Sequence, residues 1–117
     1  MTDRELLELA AKAAGMRGFY RDGPAPGIVA DGSLEAAWRP WNPLLSDADA
    51  LRLAVKSDIG FCQGTNCDRA AAISEYADGG RLRYCIEYHD EHPDKRAATR
   101  RAIVRSAAEM GKREKGK

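Results

Sequence analysis

Residues 38–55 constrain the fold of this chain more than any other segment. They contain both tryptophans, Trp38 and Trp41, two of the five prolines, and a helix start at Ser46. The prolines fix the backbone around the two indoles, and a serine at a helix start can satisfy exposed amides of the first turn. The segment therefore predicts either a corner of the core or the wall of a pocket, followed by a helix.

Length and composition are typical of one globular domain spanning residues 1–117, with 44% hydrophobic and 32% charged residues. Charge is unevenly distributed, because residues 93–117 carry nine Lys or Arg against three Asp or Glu, whereas the whole chain has a net charge of +1. This asymmetry favours an anionic ligand, a nucleic-acid phosphate, self-association of the basic end with the acidic body, or simply a solvated basic helix. No signal peptide or membrane-spanning apolar run is visible, so we expect an intracellular protein without a membrane partner.

The first and last helices are marked by their end signals. A capping box at Thr2 predicts a helix over residues 3–14, because the threonine and the glutamate three positions later can satisfy each other's backbone amides. Proline at position 93 opens the last helix, where its missing amide proton costs nothing, and Gly111 is predicted to end it. Residues 112–117 then form a basic tail.

The second helix is predicted to begin at Ser46, with acidic residues in its first turn that suit the positive end of the helix dipole. Leu53 is predicted near its polar side, where it is a candidate subunit contact. Helical periodicity predicts a buried face formed by Ala48, Leu51, Ala54 and Val55.

The centre of the chain is predicted to be β-structure. A Gly/Pro-rich loop covers residues 21–33, and residues 18–20 and 28–30 are short strands at best. Residues 59–62 are a candidate strand, and residues 70–76 and 81–88 indicate a hairpin. In its second arm Leu82, Tyr84, Ile86 and Tyr88 alternate with Arg81, Arg83, Cys85 and Glu87. We expect the apolar set to face the helices and the other set to be polar, solvated or covered by a partner.

The chain has three cysteines, an odd number, so a disulfide framework is not expected. A zinc site from Cys62, Cys67, Cys85 and either His89 or His92 can be drawn, but the spacing is unlike that of a zinc knuckle, and free thiols are the default. Cys85 and His89 are the nearest nucleophile and base, yet they lie about 13 Å apart along one strand. We therefore expect no catalytic residues, no metal and no cofactor, and a protein that is not an enzyme.

Arg100 is the unusual residue of the last helix, because it falls within the apolar stripe formed by Ala97, Val104, Ala107 and Ala108. An arginine at such a position has three alternatives. It extends to the edge of the core, it pairs with a carboxylate such as Asp47, Asp49 or Glu87, or it holds an anionic ligand.

Two blocks of sequence carry a family resemblance. The Trp41-Asn-Pro-Leu segment followed by residues 47–56, together with residues 97–111, resembles the phage ABA sandwich domain family of small phage and prophage proteins. The resemblance implies an α+β fold in which helices are layered on both faces of a small antiparallel sheet, an α/β/α sandwich. It implies no activity and no site residues.

The function hypothesis combines this resemblance with the aromatic and basic residues. We expect a phage-encoded accessory protein of the host cytoplasm, a homo-oligomer that sequesters a small anionic, nucleotide-type signal of host defence. Aromatic rings suit stacking and arginines suit phosphate, so the candidate ligand-binding residues are Trp38, Arg39, Tyr84, Arg100, Arg101 and Arg105. The alternative is a structural or adaptor protein that binds a host protein or, less favoured, nucleic acid through its basic C-terminal helix.

Overall fold

Three helices and five strands form the part of the chain that the structure describes. The computed structural model describes residues 2–30, 40–62, 69–75 and 82–115. The α+β class is confirmed, with helices packed against two small antiparallel sheets. In chain order the elements are α1 (Asp3–Ala13), β1 (Gly18–Arg21), β2 (Gly27–Ala30), α2 (Asp47–Lys56), β3 (Gly60–Cys62), β4 (Arg69–Glu75), β5 (Leu82–Tyr88), a 3-10 turn (His89–Glu91) and α3 (Lys95–Lys115).

The helix starts predicted at Thr2 and Ser46 are confirmed by their capping hydrogen bonds, whereas α3 begins at Lys95, two residues after Pro93, with Asp94 accepting from the backbone amide of Ala97 at 2.8 Å. The backbone amide of Glu5 donates to Thr2 Oγ1 at 3.2 Å, and the Glu5 carboxylate accepts from the Thr2 amide at 3.5 Å. Asp49 donates its backbone amide to Ser46 Oγ, also at 3.2 Å. Gly15 follows α1 with a φ of +74°, a left-handed conformation that glycine adopts without steric cost.

The segment around Trp41 is a corner of the fold, which is one of the two alternatives that its sequence left open. Trp41 and Ile28 exchange two backbone hydrogen bonds of 2.8 Å, so the segment pairs with β2. The buried Asn42 donates its side-chain amide to the Pro26 carbonyl at 2.8 Å and accepts from the Leu44 amide at 3.0 Å. These bonds fix the direction in which the chain enters α2.

Helix α3 forms the centre of the molecule, between the three-stranded sheet β3-β4-β5 on one side and α1 on the other. The β1-β2 hairpin packs against α1. The buried face of α3 is built mainly from small residues, which allow close approach from both sides. They are Ala98, Ala102, Ile103, Val104, Ala107 and Ala108.

Within this fold the layering differs from the expected sandwich. In the described ranges the helices lie against one face of the three-stranded sheet, because α1 and α2 pack on α3 instead of covering the other face.

The expected orientation of β5 was also wrong: Cys85 and Glu87 are buried, whereas Tyr84, Ile86 and Tyr88 are exposed. Ala70 and Ala72 of β4, which pair with Glu87 and Cys85, are small and let α3 approach this face closely. The buried Glu87 carboxylate is compensated by Arg105 of α3.

The buried face of α2 was predicted in the wrong phase. Ala50, Leu53 and Ala54 are buried, whereas Leu51 and Val55 are exposed, so the idea that Leu53 marks a subunit contact is wrong. The helix carries two overlapping stripes with spacings of three and four residues, and periodicity alone does not choose between them. The buried stripe is selected by Asp49. Its carboxylate accepts a hydrogen bond from the backbone amide of Asn42 at 3.0 Å and thereby fixes the rotation of α2 about its own axis.

Gly111 does not end the last helix, because α3 continues to Lys115. Instead it marks a close approach between α3 and α1. A Cβ atom at position 111 would lie 2.9 Å from the carbonyl carbon of Leu9 and closer still to its oxygen. Glycine is required there by the approach of another backbone.

Candidate functional site

An open groove lies where α2, α3 and strand β3 meet. Its volume is about 220 Å³. The groove combines an apolar floor, an aromatic ring and a polar rim; its lining is Ala50, Leu51 and Ile103, then Phe61, and then Asp47, Arg96, Thr99 and Arg100. Phe61 pairs with Ala72 across β3 and β4, which places it on the sheet face that meets α3, at the open edge.

Arg100 pairs with a carboxylate, which is one of the three alternatives that the sequence left open. Its guanidinium donates to Asp47 Oδ1 at 2.6 Å and, through Nε, to the Leu44 carbonyl at 2.8 Å. The side chain is 16% exposed and lines the groove. Arg100 is therefore a fixed cation at the rim, with its position set by two acceptors.

The hydrogen bond from Arg100 lowers the pKa of Asp47 below its ordinary value of 3.8. A lowered folded-state pKa contributes stability above about pH 4, and this contribution is lost as the pH falls through the lowered value. Because the Asp47 side chain is half exposed, we expect Asp47→Asn to reduce the free energy of unfolding by about 1 kcal/mol at pH 7. Urea unfolding should show the two proteins converging near pH 2.

The matched control is Asp90→Asn, which changes another exposed carboxylate. It should leave the unfolding free energy nearly unchanged at both pH values. A difference between wild type and Asp47→Asn that is the same at both pH values would contradict the role of the Asp47 charge.

Arg96 is the loosely held cation of the groove. Its side chain is 70% exposed, and the ion pairs that it makes within the described part of the chain are long, 3.4 Å to Asp47 and 4.0 Å to Asp94. Exposed pairs of this kind contribute little, about 0–1 kcal/mol, so the guanidinium can turn to an incoming anion at small cost.

The structure does not bring the six predicted ligand residues into one site. Arg101 pairs with Asp3 at 2.9 Å, and Arg105 pairs with Glu87 and donates to the Ile86 carbonyl at 3.1 Å. Both line a second hollow beside Leu6 and Glu109, away from the groove. Tyr84 lies on the open face of the sheet, and Trp38 and Arg39 lie outside the described residues.

Sequence reasoning did not select Phe61. Residues 59–62 were predicted as a strand, but the face on which Phe61 lies depends on the register with β4. Arg96 was visible only as one of several cations on a basic helix.

The cysteines do not assemble as a zinc site would require. Cys62 pairs with Ala71, a neighbour of Ile86 on the open face, whereas Cys85 pairs with Ala72 on the face toward α3. The two described thiols therefore point to opposite sides of one sheet, and Cys67 lies outside the described residues. Burial raises the pKa of the Cys85 thiol. Less of it is therefore present as the thiolate that a nucleophile paired with His89 as its base would need.

Comparison with known protein families, with curated proteins and with solved structures finds no match to this chain. Membership of the phage ABA sandwich domain family therefore stays a prediction from the two sequence blocks. In the ranges that the structure describes, no helix combines the length and the apolarity needed to cross a bilayer.

Proposed function

We propose that the protein binds a small anionic ligand of the nucleotide type in the groove between α2, α3 and β3, without converting it. One observation carries the proposal. The exposed Phe61 ring and the weakly held Arg96 guanidinium line the same apolar-floored groove, beside the fixed cation Arg100. A nucleotide presents the complementary chemistry, because its base stacks on an aromatic ring and its phosphate pairs with guanidinium groups.

The groove volume limits how much of a ligand is covered. Pockets that bury drug-sized ligands measure about 300–1,000 Å³, whereas this groove measures about 220 Å³. One ring system fits, and the remainder of a nucleotide extends over the rim toward Arg96. To sequester a nucleotide larger than one ring system, the protein must cover the part of the ligand outside the groove, and a second copy of the chain would supply that cover.

A homo-oligomer is part of the same proposal. An antiparallel sheet that faces water on one side normally carries polar residues there, yet the open face here carries Tyr84, Ile86 and Tyr88, with Tyr84 59% exposed. The described cation of this face, Arg69, lies over the Tyr88 ring of its own chain at 5.0 Å. Two such faces can therefore bury their aromatic and apolar side chains against each other about a two-fold axis.

The biological role that fits this ligand is sequestration of a nucleotide signal of host defence in the host cytoplasm. Purified protein is incubated with cyclic oligonucleotides and ADP-ribose derivatives, washed, and denatured, and the released compounds are identified by mass spectrometry. We expect one class of nucleotide to be retained and released unmodified. Failure to retain any nucleotide would contradict binding, and release of a converted product would contradict sequestration.

The oligomer predicts a solution mass that is a multiple of the 12.8 kDa chain mass. Tyr84→Lys combined with Ile86→Lys places two charges in the proposed interface, so light scattering after size exclusion should report the monomer. Phe19→Lys, which charges an equally exposed aromatic residue of β1, is the matched control and should keep the wild-type mass. A wild-type protein that runs as a monomer would rule out the oligomer.

The alternative of an adaptor that docks through its basic C-terminal helix is less favoured. Arg100, Arg101 and Arg105 each pair with a carboxylate of another element. These pairs reduce the positive charge that α3 offers to an acidic partner or to nucleic acid.

A further inference from the structure

A second polar cluster lies at the end of β5, apart from the groove. Glu87, Glu91 and His92 place one carboxylate oxygen each and one ring nitrogen within 4.8 Å of one another. Glu87 is buried, His92 is partly buried and Glu91 is exposed. Two carboxylates and an imidazole form a donor set that divalent transition metals accept.

We propose that Glu87, Glu91 and His92 bind a single divalent transition-metal ion, with zinc as the reference ion. Metal–ligand bonds of about 2.0–2.2 Å require the three donor atoms to lie within about 4.4 Å of one another. The exposed side chain of Glu91 can close the remaining few tenths of an ångström. Glu91 and His92 are held together because they are consecutive residues at the end of the 3-10 turn that follows β5.

Glu87 already has the outer partner that a ligating carboxylate needs. Arg105 pairs with Oε2 of Glu87, whereas Oε1 lies 2.8 Å from Nε2 of His92. The ion replaces the proton shared by that oxygen and that nitrogen, and the proton moves to the other ring nitrogen or to solvent. Arg105 remains on Oε2 and keeps the carboxylate in position, as the hydrogen-bond partners of ligating groups do in metal sites.

The charges of the cluster fit a cation. Two carboxylates and one guanidinium leave one negative charge when His92 is neutral, so a divalent ion makes the cluster positive by one.

The test uses chelator-treated full-length protein titrated with Zn²⁺ in a calorimeter, and with Co²⁺ while the visible absorption is recorded. We expect one ion per chain and ligand-field absorption that shows nitrogen and oxygen donors. Because outer partners alone change metal affinity about 10- to 100-fold, loss of a direct ligand in His92→Gln should weaken Zn²⁺ binding by about 100-fold or more.

Two further variants keep the result interpretable. Glu91→Gln changes an exposed ligand, so it should weaken binding while circular dichroism stays that of the wild type. His89→Gln is the matched control, since it removes the other histidine, which lies outside the cluster, and it should bind Zn²⁺ like the wild type. No uptake by the wild type, or equal uptake by His92→Gln and His89→Gln, would overturn the assignment.

Discussion

Gly111→Ala should lower the free energy of unfolding by about 3 kcal/mol, the upper part of the range for overpacked sites. The added Cβ would meet the Leu9 carbonyl group, with its carbon at 2.9 Å and its oxygen closer. Backbone atoms cannot turn aside as a flexible side chain can, so α1 must shift away from α3. Helix propensity acts in the opposite direction, since alanine is favoured over glycine by about 1 kcal/mol inside a helix.

Urea unfolding followed by circular dichroism measures this change, and the melting temperature should fall by about 10 °C or more. Gly60→Ala is the matched control, because the nearest atom to its added Cβ is the Ile73 oxygen at an ordinary 3.8 Å. It should change the stability by less than about 1 kcal/mol. If Gly111→Ala were as stable as the wild type, the close contact between α1 and α3 would be wrong.

Phe61→Ala should weaken nucleotide binding by about 10- to 100-fold. Stacking of a base on an aromatic side chain contributes about 1–3 kcal/mol, and each 1.4 kcal/mol is a factor of ten in affinity. The Phe61 side chain is 43% exposed at the edge of the sheet, so its removal should cost little stability. The retained nucleotide is titrated into wild type and variant, and the two dissociation constants are compared.

Phe19→Ala is the control for this substitution, because Phe19 is another exposed phenylalanine but belongs to β1, outside the groove lining. Its dissociation constant should equal that of the wild type. If both variants lose affinity equally, the effect of Phe61 is not local, and the groove is not the binding site.

The sequence predicted those parts of the fold that depend on local chemistry. The capping bonds of Thr2 and Ser46 and the corner at Trp41 involve residues close in sequence or a fixed proline geometry, and all three are present. The hairpin arms at β4 and β5 also pair as expected, with their connecting tip outside the described residues.

The wrong predictions concern which of two faces is buried. In α2, apolar residues occupy both candidate faces, so the hydrophobic pattern does not choose between them. In β5 the pattern indicates the face of Tyr84, Ile86 and Tyr88, whereas the face of Cys85 and Glu87 is the buried one. The choice depends on contacts made outside the element itself, such as Asn42 with Asp49 and Glu87 with Arg105. Gly111 was taken as a helix end for the same reason, since only the neighbouring α1 reveals why glycine is needed.

The candidate site was predictable in part. The pairing of Arg100 with Asp47 was among the alternatives, because an arginine in an apolar stripe needs an anion. Phe61 and the separation of Arg100 from Arg101 and Arg105 depend on sheet register and on the packing of α3. These are properties of the assembled fold.

The central claim is that the groove between α2, α3 and β3 binds the nucleotide, and calorimetry of two double variants tests it most directly. Phe61→Ala with Arg96→Ala removes the ring and the loosely held cation. Phe19→Ala with Arg52→Ala is the matched control, because Arg52 is also highly exposed and also pairs with a carboxylate at 3.4 Å, that of Asp49. The groove predicts saturable binding in the wild type and the control and no measurable heat in the groove variant; equal binding by both variants would contradict it.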